Sequence, residues 1–228
     1  MELFFLKLSI MLAPGLMAIT CHEVSHGYVA NRLGDDTARS LGRLTLNPLK
    51  HLDIIGTLMV FVAGIGWAKP VPVNFGNLRN PKRDMIWVAA AGPITNFILA
   101  CLSALALRGG VTLSAVMNSS SLVESVLFPL LLMLAFSVYI NLLLAIFNLI
   151  PVPPLDGGRV VVGLLPPRPA LFLARFEPYG MILIVALVFF TNVFSTILQP
   201  LLSVGIDLLA GPKTQWVFEQ LLTKVMTR

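Results

Sequence analysis

The chain has 228 residues, of which 57% are hydrophobic and 12% charged, with a mean hydropathy of +0.86. Soluble domains are usually about 45–50% apolar and about 25% charged, so this composition excludes an ordinary soluble fold and favours a membrane-embedded one. The net charge of +5 is typical of basic cytoplasmic loops and does not imply a nucleic-acid partner. Cys21 and Cys101 both lie in apolar stretches, which disfavours a disulfide framework.

The first apolar segment covers residues 3–33 and is long enough to span a bilayer, since about 20 residues suffice. Pro14 and Gly15 could kink it. A cleaved signal peptide needs a basic start and an exit site of small residues. Here the start is Met1-Glu2, and the apolar run continues directly into His22. We therefore interpret this segment as a retained helix.

A polar and basic region follows, in which residues 39–46 alternate as in a strand. Residues 52–66 are apolar but short for a spanning helix, which favours a re-entrant or interfacial element. The proline-rich residues 67–75 could form an edge strand, with residues 71–75 as its predicted extended part. The sequence thus predicts a small β element between the first and second long apolar helices.

Two further segments, residues 85–107 and 126–150, are long enough to span. Residues 179–210 are apolar for about thirty residues and could form one span plus an interfacial helix. The predicted fold class is an α-helical polytopic membrane protein with about 4–6 membrane segments. We expect a single membrane-embedded domain over residues 1–228, with a core over about 3–165 and a C-terminal membrane segment.

The distribution of Lys and Arg predicts the orientation. The loops 32–50, 67–84 and 151–178 are basic, whereas the loop predicted at 109–123 contains neither Lys nor Arg. Because cytoplasmic loops carry the excess of Lys and Arg, the N-terminus is expected outside and the ends of the first and third long helices on the cytoplasmic side.

The motif with the clearest chemistry is His22-Glu-Val-Ser-His26. Residues four apart lie on one face of a helix, so two imidazoles can bind one zinc ion. The glutamate between them, Glu23, can take a proton from water as that water attacks a carbonyl. Polar contacts between membrane helices are the alternative interpretation. However, ionisable groups in an apolar segment are costly and usually functional.

A catalytic zinc needs a third protein ligand and an open position. His51 is the one other histidine, and the remaining candidates are carboxylates. Asp156 follows a spanning segment that ends on the same predicted side as the histidines. Its two following glycines would allow close approach of backbone or substrate. An Asp-Gly pair is also a common turn.

Together the two motifs resemble the site-2 protease family of intramembrane zinc metalloproteases, peptidase family M50. The resemblance rests on the histidine pentad and on Asn148-x-x-Pro-x-Pro-Pro-Leu-Asp156-Gly, and it covers most of residues 15–180. Asn47-Pro-Leu-Lys-His-Leu-Asp53 and Ala91-Gly-Pro-Ile-Thr-Asn96 are similar to further family elements. The expected form is the compact one, without a PDZ or CBS domain.

The resemblance implies a three-helix catalytic core, with the small β element between its first and second helices, and one Zn²⁺ per chain. His22 and His26 match the histidine ligands of the family, Asp156 its carboxylate ligand, and Glu23 its general base. The implied enzyme is a zinc metalloendopeptidase.

Two asparagines match further positions. Asn148 could donate a hydrogen bond to the substrate carbonyl or the developing oxyanion, and Asn96 could bind substrate; for both, helix packing is the alternative. No chemistry is assigned to His51, which could lie at the membrane interface, contact the residues that bind the metal, or act in substrate gating. The edge strands predicted at 39–46 and 71–75 could pair with an unwound substrate segment.

The implied activity is cleavage within or near a transmembrane segment of a membrane-anchored protein, as in regulated intramembrane proteolysis. The expected location is a bacterial inner membrane, with the active site toward the cytoplasm. The expected partners are the membrane-anchored protein substrate and the lipid bilayer. A non-proteolytic membrane adaptor and an ion-binding transporter that use the same His and Asp residues are the alternatives; a transporter would favour repeated halves. The sequence gives no oligomeric state.

Overall fold

The computed structural model describes residues 2–63, 66–117, 123–192 and 194–226. Parts of the predicted apolar segment 52–66 and of the predicted loop 109–123 therefore lie outside the described residues. In chain order the α-helices are α1 (Glu2–Arg32), α2 (Thr37–Ser40), α3 (Ile54–Ala63), α4 (Pro81–Val116), α5 (Phe128–Asn148), α6 (Asp156–Leu164), α7 (Pro167–Ala174), α8 (Glu177–Phe190), α9 (Gln199–Ala210) and α10 (Gln215–Gln220).

Short turns of other helix types complete the secondary structure. The 3₁₀ turns lie at Pro48–Lys50, Phe75–Asn77 and Pro212–Thr214, and the π-helical turns at Val123–Leu127, Phe194–Leu198 and Leu221–Met226. No strand forms within the described ranges. The protein is thus an α-helical polytopic membrane protein, as predicted.

Three helices are long and apolar enough to cross a membrane: Phe5–Arg32, Pro81–Val116 and Ser125–Asn148. Two bent helix pairs are each long and apolar enough when the two helices are taken together, which gives up to five spans. The pairs are Pro167–Ala174 with Glu177–Ala186 and Phe194–Ala210 with Pro212–Met226. The three long helices correspond to the three apolar segments that the sequence predicted as spanning.

The described chain divides into two compact units. The first comprises Met1–Ala18, Asn96–Leu144 and Phe194–Arg228. Its core is a cluster of buried aliphatic and aromatic side chains from α1, α4, α5, α9 and the segment after it, which includes Ile10, Leu107, Leu131, Val217 and Leu221. Burial of such side chains stabilises the packing of these helices on one another.

The second unit comprises Ile19–Thr95 and Ala145–Val193. A small cluster of Ala30, Leu78 and Val88 forms one of its apolar cores. Asp35, just beyond α1, is buried and accepts hydrogen bonds from the Asn74 main-chain N–H and the Asn77 side chain. The loop at residues 74–77 is thereby fastened to the end of α1.

The predicted β element is wrong. Residues 39–46 begin inside the short helix α2, residues 71–74 lie outside any helix or ladder, and Phe75 begins a 3₁₀ turn. Among the described residues, the antiparallel contact in this region is one bridge between Leu52 and Ala68. Pro70 and Pro72 have no N–H to donate to a ladder, and side chains take up the neighbouring main-chain groups. The Arg43 guanidinium donates to the Lys69 and Pro70 carbonyls.

One other boundary differs from the prediction. Helix α4 continues through Gly109 and Gly110 to Val116, where a loop was expected. A Cβ at position 110 would lie 2.6 Å from Leu131 Cδ2, so the absent side chain allows close helix packing that offsets the low helix propensity of glycine. The apolar stretch 179–210 is divided into α8 and α9, with Pro200 in the first turn of α9, where proline is favoured.

Candidate metal centre

The two histidines of the pentad lie on one face of α1 near its C-terminal end. Their Nε2 atoms are 3.1 Å apart, and the rings meet edge to face with centroids 4.7 Å apart. The i, i+4 spacing on a helix produces this convergence. His22 is 7% exposed, so its imidazole is withdrawn from the surface.

Asp156 brings the third ligand atom to the same point. Its Oδ2 lies 3.1 Å from His22 Nε2 and 3.4 Å from His26 Nε2. Asp156 is the first residue of α6, where the N-terminal end of the helix dipole favours a negative charge. The fold thus brings these two distant stretches of chain together.

The three atoms fit a zinc ion. Ligands about 2.0–2.2 Å from a tetrahedral zinc are about 3.3–3.6 Å apart, close to the separations of 3.1–3.4 Å seen here. The Asp156 Oδ2 atom is buried without a hydrogen-bond partner among the described residues. A buried acceptor of this kind is costly unless a cation faces it.

The hydrogen bonding of His26 also favours metal binding. Its Nδ1 lies 2.7 Å from the Val88 carbonyl oxygen, and because a carbonyl only accepts, Nδ1 carries the proton and donates. The Nε2 lone pair is then free to point toward the other two ligand atoms. Donation from the second ring nitrogen is the usual way in which proteins fix a metal-binding histidine.

Glycines leave the space that the centre requires. A Cβ on Gly92 of α4 would lie 2.5–2.6 Å from His22 Nε2 and His26 Nε2. At the start of α6, a Cβ on Gly157 would lie 2.3 Å from the Leu149 carbonyl oxygen, and one on Gly158 would lie 2.2 Å from Pro153 N. These positions exclude any larger side chain, so that the metal-binding face stays open and Asp156 is held against the preceding turn.

Glu23 is adjacent to the first ligand in the sequence and is partly buried. One carboxylate oxygen, Oε2, accepts a hydrogen bond of 2.8 Å from the Val71 main-chain N–H. Within the described ranges no hydrogen bond reaches the other oxygen, which leaves it available for a proton. This arrangement suits a carboxylate that exchanges protons with a water molecule at the neighbouring centre.

Three further residues were singled out in the sequence: Asn148, Asn96 and His51. Asn148 is the last residue of α5 and is partly buried. Asn96 is fully buried, and its amide donates to the Ala18 carbonyl and the Asn141 side chain, contacts that a helix-packing asparagine makes. Their substrate-binding roles stay predictions. His51 is buried, with Nε2 2.8 Å from the Thr45 carbonyl oxygen, and so has a structural position in the loop.

Sequence reasoning missed three contributors to this centre: the Gly92 position, the Val88 carbonyl and the Val71 N–H. Main-chain groups have no residue-type signature, so no motif could have indicated the last two. Gly92 lies in the Ala91-Gly-Pro-Ile-Thr-Asn96 stretch that resembled a family element, and a glycine inside a predicted spanning helix was a usable signal for close approach.

Two histidine nitrogens and one carboxylate oxygen, with a fourth position left open, are typical ligands of a catalytic zinc ion. Their position on helices of membrane-spanning length defines the class: this chain is an integral membrane zinc metalloprotease. The comparisons with known proteins agree. The model for "Peptidase family M50" matches residues 109–191, which include Asp156. Together with the curated relatives described next, this match shows that the chain belongs to this family, that of the site-2 proteases.

Curated relatives extend the match over most of the chain. "Putative zinc metalloprotease YwhC" of Bacillus subtilis (strain 168) is 42% identical over 194 residues, covering 84% of this chain and 85% of the relative. "Putative zinc metalloprotease Rip2" of Mycolicibacterium smegmatis is 28% identical, over 78% of this chain and 66% of the relative. The Rip2 protein of Mycobacterium tuberculosis (strain H37Rv) is 28% identical, over 77% of this chain and 65% of the relative. No solved structure matches.

Proposed function

We propose that this metalloprotease cleaves a peptide bond within or near a transmembrane segment of a membrane-anchored protein, as in regulated intramembrane proteolysis. The observation that carries the proposal is the convergence of His22, His26 and Asp156 at one point, with Glu23 next to His22 in the sequence. The first two ligands lie within a candidate membrane span, Phe5–Arg32. A hydrolytic centre built into such a helix is suited to substrates that are themselves in the membrane.

The chemistry follows from the residues present. A zinc ion held by His22, His26 and Asp156 would supply a Lewis acid that lowers the pKa of water toward neutrality. Glu23 takes one proton from the attacking water as the new C–O bond forms. Glu23 then delivers that proton to the leaving amine nitrogen as the C–N bond breaks, which completes hydrolysis. Asn148 is proposed to donate a hydrogen bond to the substrate carbonyl oxygen, and Asn96 to contact substrate.

The proposed location is a bacterial cell membrane with the centre toward the cytoplasm. The basic loops 32–50, 67–84 and 151–178 border the ends of α1, α4 and α5 that are nearest to the ligands. An excess of Lys and Arg marks cytoplasmic loops. The relatives described above are bacterial, which supports this choice of membrane.

The test compares cells that produce the wild-type protein with cells that produce Glu23→Gln. New protein N-termini are mapped by mass spectrometry of the membrane fraction, and zinc is measured in the purified proteins. We expect cleaved ends within or next to apolar segments of membrane proteins in wild-type cells alone. Glu23→Gln should retain about one zinc per chain, because the three ligands are unchanged.

The matched control is Glu219→Gln, which makes the same chemical change at an exposed residue of α10. It should give the wild-type pattern of N-termini. Wild-type cleavage by Glu23→Gln would overturn the role of Glu23. Cleaved ends confined to soluble proteins or to loops far from membrane segments would contradict the proposed substrate class.

A further inference from the structure

Residues 69–74, Lys69-Pro-Val-Pro-Val-Asn74, form a segment outside any helix or strand, which we call the strap. Prolines at 70 and 72 have no N–H, so Val71 supplies the single main-chain donor between them. This donor is the one that binds Glu23 Oε2 at 2.8 Å. The prolines therefore leave one main-chain donor between them, and the fold places this donor against the proposed general base.

The strap lies tightly against α1. Val71 is 7% exposed, and a Cβ added to Gly27, one turn after Glu23, would lie 2.7 Å from Val71 Cγ1. The Gly27 position thus allows the strap to approach the helix closely enough for the Val71 N–H to reach the carboxylate.

The strap is fixed at several points. Arg43 Nη2 donates to the Lys69 carbonyl at 2.9 Å and to the Pro70 carbonyl at 3.2 Å. The Lys69 N–H donates to the His51 carbonyl at 2.9 Å, and the Asn74 N–H donates to Asp35 Oδ2 at 2.8 Å. The Arg43 contacts are the nearest to Val71, because they bind the two carbonyls that immediately precede it.

We propose that Arg43 is a positioning residue for catalysis: it holds the strap so that the Val71 N–H fixes one oxygen of Glu23 and leaves the other free to accept a proton. The proposal rests on the role of Glu23 as general base. A glutamate side chain has several rotatable bonds, and an unfixed carboxylate spends little time in the reactive geometry. Displacement by about 1 Å can cost about 10²-fold in rate.

The kinetic test uses purified protein in lipid nanodiscs and a fluorogenic peptide that spans one cleavage site found in the comparison of N-termini. Arg43→Gln should lower kcat about 10²-fold while KM stays within about twofold, because the base and not substrate binding is affected. Arg43→Lys should recover part of kcat, since an ammonium can reach one of the carbonyls. Arg39→Gln is the matched control, because Arg39 is exposed on α2, four residues before Arg43, and carries the same charge.

A second pair of variants tests the N–H group itself. Val71→Pro removes the donor, whereas Val71→Ala keeps it and shortens the side chain. We expect Val71→Pro to lose about 10²-fold in kcat and Val71→Ala to stay within about tenfold of the wild type. Equal losses in the two variants would contradict the proposal, since packing alone would then explain them.

Hydrogen exchange gives a measurement that does not depend on activity. With prolines on both sides, the Val71 amide can be followed in a short peptide that has few exchangeable sites. Both Arg43→Gln and Glu23→Ala should speed its exchange by about tenfold or more, because each removes one side of the arrangement that protects it. Arg39→Gln should leave the exchange rate unchanged.

The outcomes separate the two proposals. Normal cleavage by Glu23→Gln overturns the proposed function. Loss of cleavage in Glu23→Gln, together with wild-type kcat and Val71 exchange in Arg43→Gln, overturns the positioning role of Arg43 alone. Loss of zinc in Arg43→Gln, or a rise in KM without a fall in kcat, also overturns it, because the arginine would then support the fold or the substrate instead.

Discussion

The metal centre needs space between its ligands, and Gly92 leaves that space open. A Cβ at this position would be within 2.6 Å of both ligand nitrogens, a separation that real side chains do not adopt. The two histidines would have to move apart or rotate. Since the Val88 carbonyl holds His26 from its other nitrogen, little freedom exists for such a movement.

Gly92→Ala is therefore expected to weaken zinc binding by about 10–100-fold, the range seen when groups around a metal site are changed. Gly109→Ala is the matched control: it lies on the same helix, where an added Cβ meets nothing within 4 Å. This control should keep wild-type zinc affinity and gain about 0.5–1 kcal/mol in stability. Chelator competition measures the affinities, and equal affinities for the two variants would refute the prediction.

The sequence could indicate the candidate ligand residues because metal binding depends on particular residue types at a particular spacing. The i, i+4 histidines and the intervening glutamate are a pattern with a mechanism, and Asp156 was selected by its place after a spanning segment. The contacts that hold Glu23 and His26 are main-chain groups of Val71 and Val88. They depend on the tertiary fold, so the sequence could not indicate them.

Among the elements, the region between α1 and α4 departs most from the prediction. Local alternation over residues 39–46 suggested a strand, but a strand needs a partner with free main-chain groups. Pro70 and Pro72 remove two donors, and the Arg43 guanidinium takes up two carbonyls. The segment is held instead by side-chain to main-chain hydrogen bonds, for which a short sequence pattern gives no signal.

Asp35 is central to that arrangement. Burial raises the pKa of its carboxyl, but hydrogen bonds from Thr37, Asn74 and Asn77 outweigh burial and hold the pKa below its ordinary value. Because the folded-state pKa is lower than the unfolded one, the carboxylate contributes stability above the unfolded value, about 3.9. This contribution is lost as the pH falls through the folded-state pKa.

Asp35→Asn should thus destabilise the protein by about 1–3 kcal/mol at pH 7, since an amide cannot accept all these hydrogen bonds. The difference in the free energy of unfolding between wild type and variant should shrink as the pH falls below about 4. Denaturant unfolding in detergent across this range measures it. Asp36→Asn, a change at the exposed neighbouring residue, serves as the control. A difference for Asp35→Asn that does not vary with pH would contradict the explanation.

Considered as a whole, the molecule follows its hydrophobic pattern where that pattern is long. The segments predicted at 3–33, 85–107 and 126–150 are the helices α1, α4 and α5, because about 20 apolar residues in sequence are enough to define a span. The stretch 179–210 is just as long but is divided into α8 and α9, and the position of that helix break depends on packing that no window of sequence contains.

The orientation can be tested with single cysteines in a variant that lacks Cys21 and Cys101. Arg39→Cys lies in a basic loop, and Ser120→Cys lies in the region without Lys or Arg. A membrane-impermeant thiol reagent applied to intact cells should label Ser120→Cys and not Arg39→Cys, whereas both should react after lysis. Labelling of Arg39→Cys in intact cells would place the metal centre on the outer side.

The account depends most on a single zinc ion bound by two imidazoles and one carboxylate. Zinc X-ray absorption fine structure, with zinc quantification, tests this directly on purified wild type and Asp156→Ala. We expect about one zinc per wild-type chain, with nitrogen and oxygen neighbours at about 2.0–2.2 Å, and much weaker zinc retention by the variant. A sulfur neighbour at about 2.3 Å, which would implicate Cys21, or unchanged zinc binding in Asp156→Ala would contradict the account.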